Sequence, residues 1–552
     1  MNNEHLAVIL REKAKEYGSQ VAMCYKKCNE WCEITYTELS EKIQTGAATL
    51  LKLGIKNGEK IGIFSPNKPE WTITDFAAQS ACAVAVPIYA TNTAQQTEFI
   101  VKDADIRVIF TGNKEQYEKV MTFSDKISKL IKIVSFDESI KLWGNKSCYF
   151  SEFLKWGDSP KLIKRVNDNL DNAKITDLTT IIYTSGTTGN PKGVVLRHSN
   201  FIHQFRSLDS YFNIGQKDIS LCFLPLSHVY ERIWTFYILC RGAVNTYLEN
   251  PRLIAEYLRE VKPTVMVAVP RLYEKIYSAV MNKVAQSSAM KQKIFSWAKK
   301  VGIEYHYARK ENKLIGPLLH SAYILADKMV LKKIRDAVGG HKNFFSAGGA
   351  ALSKEIEEFF YAADLLVCQG YGLTETSPMV SCNRPGDYKF GTVGKPIEDC
   401  SVRISGEGEI QIKGSNVFEE YYNNPEATAE AFVDGWFKTG DVGYVDEDGY
   451  LHITDRIKDI IITSGGKNIS PQHIEAVLGI DSYIEFIMAI GDGRKYISAL
   501  IVPNFPVLEE YAKEKSISFA SRDELINHPD IINFYIDRLE KRSAELANYE
   551  KV

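Results

Sequence analysis

No uninterrupted apolar run in this 552-residue chain is long enough to span a bilayer. The opening Met1-Asn2-Asn3-Glu4-His5 has neither the basic nor the apolar region of a signal peptide. Both absences point to a cytoplasmic protein with at most peripheral membrane contact. Charge of one sign is lacking too: the net charge is −2, so nothing global calls for nucleic acid or an acidic partner. Repeats and low-complexity segments are absent. Ten cysteines are few for this length. Cys24, Cys28 and Cys32 are evenly spaced, but they fall in hairpin-like strands with no histidine nearby to complete a zinc site. All ten read as reduced, structural thiols.

The composition is that of a globular protein, 45% hydrophobic and 25% charged, and the length predicts more than one domain. Strand-like runs alternate with helical patterns over the first two thirds. Leu39, Ile43, Ala47, Leu50 and Leu51 make a helical stripe that Thr37 would cap and Gly54 would end. Lys60–Phe64 reads as a strand, and similar runs recur at Val108–Phe110, Ile131–Val134, Val265–Val269 and Leu365–Cys368. This alternation predicts an α/β fold: a large, multi-lobed N-terminal domain of mostly parallel sheets flanked by helices. Between 281 and 341 the pattern turns helical, rich in lysine and aromatics, either a solvated face or a membrane-facing one. After about Asp455 it changes again. Ser470 and Pro471 look like the cap and first position of a helix, Tyr483–Ile490 and Tyr496–Val502 like strands, and 530–548 like a closing helix. The expected division is therefore 1–455 and a small, incomplete α+β domain at 456–552.

Tyr183-Thr184-Ser185-Gly186-Thr187-Thr188-Gly189-Asn190-Pro191-Lys192-Gly193 lies between two apolar runs and reads as a loop joining buried strands. Bare backbone N–H groups, short hydroxyls and a lysine suit it to a polyphosphate. It is neither the G-x-x-x-x-G-K-[ST] loop nor G-x-G-x-x-G.

Further segments follow in order: Leu224–Arg232, Ser346–Ala350, Gln369–Thr376, Trp436–Asp441, Asp455-Arg456 and Thr463–Ser470. With the loop, they resemble the adenylate-forming superfamily of acyl-CoA synthetases, luciferases and peptide-synthetase adenylation domains. Leu224–Arg232, with its Glu-Arg ending, and the helical insertion are most similar to long-chain fatty-acid–CoA ligases. The resemblance implies ATP, Mg²⁺ and CoA as co-substrates and cofactor, and two steps. A fatty-acid carboxylate attacks the α-phosphate of ATP, giving acyl-adenylate and pyrophosphate. The CoA thiol then takes the acyl group and AMP leaves.

Roles follow residue by residue from the resemblance. Ser185, Gly186, Thr187, Thr188, Gly189 and Lys192 would hold the phosphates, and Thr184 and Glu375 the Mg²⁺. Gly349, Ala350, Gly370, Tyr371 and Gly372 would sandwich the adenine, and Gln369 and Thr374 would also belong to the ATP/AMP site. Asp441 would accept both ribose hydroxyls, and Arg456 would donate to the ribose or the α-phosphate. His228 either sits beside the acyl carbonyl and gates the fatty-acid tunnel or is structural. Trp234, likewise, either lines the tunnel or belongs to the core. Lys458 matches the hinge on which the small domain would rotate between steps, and Ser464, Gly465 and Gly466 would lie near the pantetheine arm of CoA.

Family members normally carry a further segment whose lysine reaches the adenylation site. The chain stops at Asn548-Tyr549-Glu550-Lys551-Val552 without that motif, and Lys551 is not assigned the role. The expectation is a truncated chain that forms adenylate slowly yet makes thioester from supplied acyl-adenylate. Three alternatives remain open: a fatty-acyl-AMP ligase loading a carrier protein, a luciferase-like oxygenase, and a non-catalytic fatty-acid or nucleotide-binding module.

Overall fold

A computed structural model describes residues 4–184, 191–340, 342–464 and 468–552. Among them, most strands fall into two large sheets. The first has seven strands, ordered Ser147–Tyr149, Lys132–Ser135, Ile106–Thr111, Lys60–Phe64, Val84–Ile88, Leu178–Thr184 and Lys192–Arg197. All its neighbours are parallel except the last pair. The second has nine strands. Its centre is a parallel run of Val367–Gly372, Phe344–Ala347, Val265–Ala268, Ile219–Cys222, Val244–Tyr247 and Val21–Lys27. Short apolar runs form these strands because helices cover both faces, leaving no polar side to alternate with. The expected parallel α/β architecture is what the chain adopts.

Two helices lie wholly inside. Every residue of Pro69–Ser80 but Glu70 is buried, and so is every residue of Val229–Cys240 but Tyr230; both exceptions are half-buried. Phe76 and Phe236 meet between them at 4.5 Å between ring centroids. They join the two sheets through a single core.

An antiparallel sheet follows, built on Cys400–Ile404, Glu409–Gly414, Trp436–Val445 and Leu451–Arg456. Beyond Arg456 come the Pro471–Leu478 helix, the Ile484–Ile490 and Ser498–Pro503 hairpin, and helices ending with Pro529–Arg542. Ser470 accepts from His473 N at 3.1 Å, as its capping role predicted, with Pro471 first in the helix. Arg271 of the Pro270–Ala285 helix reaches Glu485 Oε1 at 3.3 Å.

Local details differ from expectation. Thr35, not Thr37, caps the Tyr36–Lys52 helix, because Glu38 stands three residues on and closes a capping box with it. The closing helix ends at Arg542, giving way to a 3₁₀ turn at Ser543–Glu545. The helical insertion begins at Pro270, a proline in the first turn, well before 281. Cys28 and Asn29, both at positive φ, form the hairpin turn that separates Cys24 from Cys32, and all ten cysteines are free.

Candidate active site

The phosphate-loop hairpin ends the first sheet. Thr184 closes one strand and faces Lys192, which opens the next. Thr184 Oγ1 donates to the Lys192 carbonyl at 3.5 Å. Ser185, Gly186, Thr187, Thr188 and Gly189 lie outside the described residues. The segment 420–422 is laid along the free edge of the second strand: Val195 N donates to Glu420 O at 3.2 Å and Tyr422 N to Gly193 O at 2.7 Å. Gly193 permits this approach, since a Cβ there would stand 2.8 Å from Ile181 and 3.2 Å from Tyr422.

That edge pairing delivers Tyr421, a residue sequence reasoning missed. Its phenol donates to Glu375 Oε1 at 3.0 Å, and the Lys192 ammonium stands 5.2 Å from the centre of its ring. One aromatic therefore links the hairpin lysine to the acid of a 3₁₀ turn at Thr374–Thr376. Burial raises the Glu375 carboxyl above its usual range; Tyr421, Arg456 and Lys192 pull the other way. No spacing rule marks Tyr421, because its partners are distant in sequence.

The second cluster centres on Asp441. It accepts from Tyr371 Oη at 2.6 Å through Oδ2 and from Arg456 Nε at 3.0 Å through Oδ1. Asp441 and Arg456 are register partners on adjacent strands, which sets their side chains on one face. Burial raises the Asp441 carboxyl, opposed by Tyr371 and Arg456. Arg456 is half exposed, at 53%, while Asp441 is 6% exposed, so the cation caps a recessed acid.

Around these, Gly370 and Gly372 carry the end of a second-sheet strand. A Cβ at Gly372 would stand 1.8 Å from the Pro378 carbonyl, so no larger residue fits. Gly349, at φ +86°, turns the chain after Ala347, and Ala350 beside it is exposed. Gln369 is occupied at both ends of its amide: Nε2 donates to Thr392 O at 3.0 Å and Oε1 accepts from Leu352 N. Through these bonds it ties the 349–352 turn to Thr392. Thr374 is buried.

Leu224–Arg232 is shaped by Asn67, also unflagged by sequence. Its amide donates to Leu224 O at 2.7 Å and accepts from Leu226 N at 3.0 Å. His228 caps the Val229–Cys240 helix, its Nδ1 accepting from Tyr230 N at 3.2 Å, with the imidazole open to solvent. Glu231 is wholly buried and accepts from Leu224 N at 3.0 Å; burial pushes its carboxyl up to about 8. Trp234 is 2% exposed, donates to Ser220 Oγ at 2.9 Å and packs on Phe344, surroundings that are those of core. Lys458 is exposed on the turn after Arg456, and Ser464 is exposed with its N–H on Arg494 O at 2.9 Å. Gly465 and Gly466 lie outside the described residues.

Thr184 and Glu375 offer a hydroxyl and a carboxylate, the hard oxygen donors a Mg²⁺ ion prefers, and a dication would offset the desolvation that raises the Glu375 carboxyl. Among the described residues no cluster of three or more His, Cys, Asp or Glu side chains forms a resident metal site.

The chain is similar to known proteins in sequence and in fold. Over 510 residues the chain is 35% identical to the long-chain-fatty-acid–CoA ligase FadD15 of Mycobacterium bovis, covering 91% of this chain and 82% of that protein. It is 32% identical to the long-chain-fatty-acid–CoA ligase ACSBG2 of Xenopus laevis, covering 89% of this chain and 68% of that protein. The crystal structure of the anthranilate CoA ligase AuaEII in complex with anthranoyl-AMP has the same fold. Its TM-score is 0.73 at 18% identity, covering 99% of this chain and 92% of that one. The model of the AMP-binding enzyme C-terminal domain matches residues 458–529. The model of the AMP-binding enzymes matches residues 10–422, and the chain belongs to that family.

Proposed function

We propose that this chain is an ATP-dependent long-chain fatty-acid–CoA ligase, forming acyl-adenylate and pyrophosphate, then acyl-CoA and AMP. One observation carries the reading: two acids, half-buried Glu375 and buried Asp441, each tied by a tyrosine, with the Lys192 ammonium against the ring of one tyrosine and Arg456 on the other acid. A nucleotide needs this division, with one group of residues for the polyphosphate and another for the ribose. The chain-length class rests on relatives that are named long-chain ligases.

Asp441 would release Arg456 or Tyr371 to accept the ribose hydroxyls, and Arg456 would turn to the α-phosphate. Lys192 and the hairpin N–H groups would hold the departing pyrophosphate, stabilising charge that develops as the α-phosphate is attacked. Mg²⁺, held by Thr184 and Glu375, would neutralise phosphate charge. His228, open to solvent at the start of a buried helix, would stand beside the acyl carbonyl. Residues 456–552 would form a mobile unit pivoting near Lys458, with Ser464 near CoA in the second step. Contact with a membrane would be peripheral.

Mass spectrometry of products from Mg-ATP and palmitate, with and without CoA, tests the reading. Palmitoyl-CoA with AMP is the expected result. Palmitoyl-adenylate that CoA does not consume would replace the ligase with an acyl-AMP ligase. Absence of both, even from supplied palmitoyl-adenylate plus CoA, would overturn catalysis.

A further inference from the structure

Asp103 is the last residue of the Ala94–Asp103 helix and is half-buried. A carboxylate there opposes the helix dipole, whose negative end lies at the C-terminus. Among the described residues no cation pairs with it, whereas Asp105, two positions on, has Lys129 at 2.7 Å. The stability of its own helix therefore does not account for an acid at this position.

Asp103 has instead one contact on each side of the phosphate-loop hairpin. Its carboxylate accepts from the phenol of Tyr183, the residue directly before Thr184. Its backbone carbonyl accepts from Asn423 Nδ2 at 3.3 Å, two residues beyond Tyr421. Asn423, at φ +51°, turns the chain just past the 420–422 segment, a left-handed conformation that asparagine tolerates. Tyr183 is 4% exposed, and its ring stands edge-on to Phe99 of the Asp103 helix. Between the two contacts lies Gly193, the register partner of Tyr183. A Cβ on Gly193 would stand 3.2 Å from Tyr183 Cζ and 3.2 Å from Tyr422 Cβ, so this packing has no room for one more carbon.

We propose that Asp103 is a positioning residue for the adenylation step. Through Tyr183 it sets the hairpin, and through Asn423 it sets the segment that carries Tyr421 to Glu375. The inference rests on the proposed nucleotide site: Thr184 and Lys192 stand at the hairpin ends and Tyr421 on the adjoining segment, so a slackened Tyr183 shifts all three against the phosphates. Asp103 touches none of the reacting groups itself. A phenol bonded to a carboxylate is held more strongly than one bonded to a neutral acceptor, which is what an acid supplies here.

The test uses Asp103→Ala, Asp103→Asn, Tyr183→Phe and the double variant Asp103→Ala with Tyr183→Phe. Stopped-flow pyrophosphate release from Mg-ATP and palmitate gives kcat and KM, and calorimetry gives Mg-ATP binding. Asp103→Ala and Tyr183→Phe should each lower the adenylation kcat roughly tenfold and leave the KM for palmitate within about twofold of the parent. The double variant should fall no further than either single one, because both remove the same bond. Asp103→Asn keeps an acceptor and should recover to within about threefold of the parent. Thioester formation from supplied palmitoyl-adenylate should stay nearly unchanged. The proposal is overturned if Asp103→Ala adenylates as the parent does, if Asp103→Asn is as slow as Asp103→Ala, if the single losses multiply in the double variant, or if both half-reactions fall alike. Should Asp103→Ala fail to fold, Tyr183→Phe, which keeps the buried ring, decides the question on the same readouts. A parent that binds Mg-ATP but makes no palmitoyl-adenylate sinks the ligase reading alone. Mg-ATP affinity then judges Asp103, with a drop of roughly fivefold expected in Asp103→Ala and Tyr183→Phe and recovery in Asp103→Asn; equal affinities overturn the positioning role. A parent that binds no Mg-ATP overturns both.

Discussion

Arg232 holds Asp75 through two hydrogen bonds, Nε to Oδ2 at 2.7 Å and Nη2 to Oδ1 at 2.9 Å, with both side chains wholly buried. Its third nitrogen, Nη1, donates to Thr180 Oγ1 beside them. Asp75 and Thr180 belong to elements around the first sheet, and Arg232 to the helix that crosses from the second. The Glu-Arg ending of the 224–232 motif is thus a tie between sheets. Asp75→Asn or Arg232→Met should each cost about 3–5 kcal/mol in urea unfolding, because each leaves a buried group uncompensated. The double variant Asp75→Leu with Arg232→Met should cost less than the two single costs added. Additive costs would mean the two side chains do not act as a pair.

Tyr371→Phe removes one hydrogen bond to Asp441 and should weaken ATP binding by about 1 kcal/mol with the melt unchanged. Asp441→Ala should reduce pyrophosphate release by about a hundredfold, leaving Arg456 with nothing to orient it. Equal activity in Asp441→Ala and the parent would remove Asp441 from the site.

Tyr421→Phe leaves the Glu375 carboxylate without its phenol donor. The expected outcome is a drop of about tenfold in adenylation, and about a hundredfold for Lys192→Ala. Thioester formation from supplied acyl-adenylate should fall much less in both, since no pyrophosphate leaves in that half-reaction. Stopped-flow pyrophosphate release and thioester mass spectrometry read the two halves separately.

Gly372→Ala drives a methyl into the Pro378 carbonyl at 1.8 Å. The 370–378 segment must shift, carrying Glu375 and Tyr371 with it. Adenylation should be lost while the protein stays folded, with a melting temperature lowered by a few degrees. Activity within a factor of two of the parent would show that the segment yields without disturbing the acids.

Glu231 titrates near 8 rather than its usual 4.5. A carboxyl raised on folding stabilises the fold fully below its unfolded value, and that contribution is lost as pH rises through the folded one. The parent should therefore lose stability relative to Glu231→Gln between pH 4.5 and 8, the window those two values set. Urea melts of both proteins across that range check the sign. A parent that gains on the variant as pH rises would refute it.

Much of the site was legible because its residue types have few other uses. A loop of small residues and hydroxyls before Lys192, and glycines flanking Tyr371, point to a ligand that approaches backbone closely. Gln369, read as a nucleotide contact, also bonds Leu352 and Thr392 through its amide. Sequence cannot say which way a buried amide points. Tyr421 and Asn67 were invisible for another reason. Each acts on residues far away in the chain, 46 positions for Tyr421 to Glu375 and 157 for Asn67 to Leu224, and neither stands in a pattern.

Periodicity and glycine placement alone set the parallel α/β class, the strand at Lys60–Phe64 and the Ser470 cap, because these depend on neighbours within one turn or one strand. Only the tertiary structure decided that Arg456 faces Asp441, that Trp234 is packed among core aromatics, and that Tyr183 meets Asp103. Those outcomes depend on strand register and on which stripe of a helix finds a partner, and both are settled by contacts between segments distant in the chain.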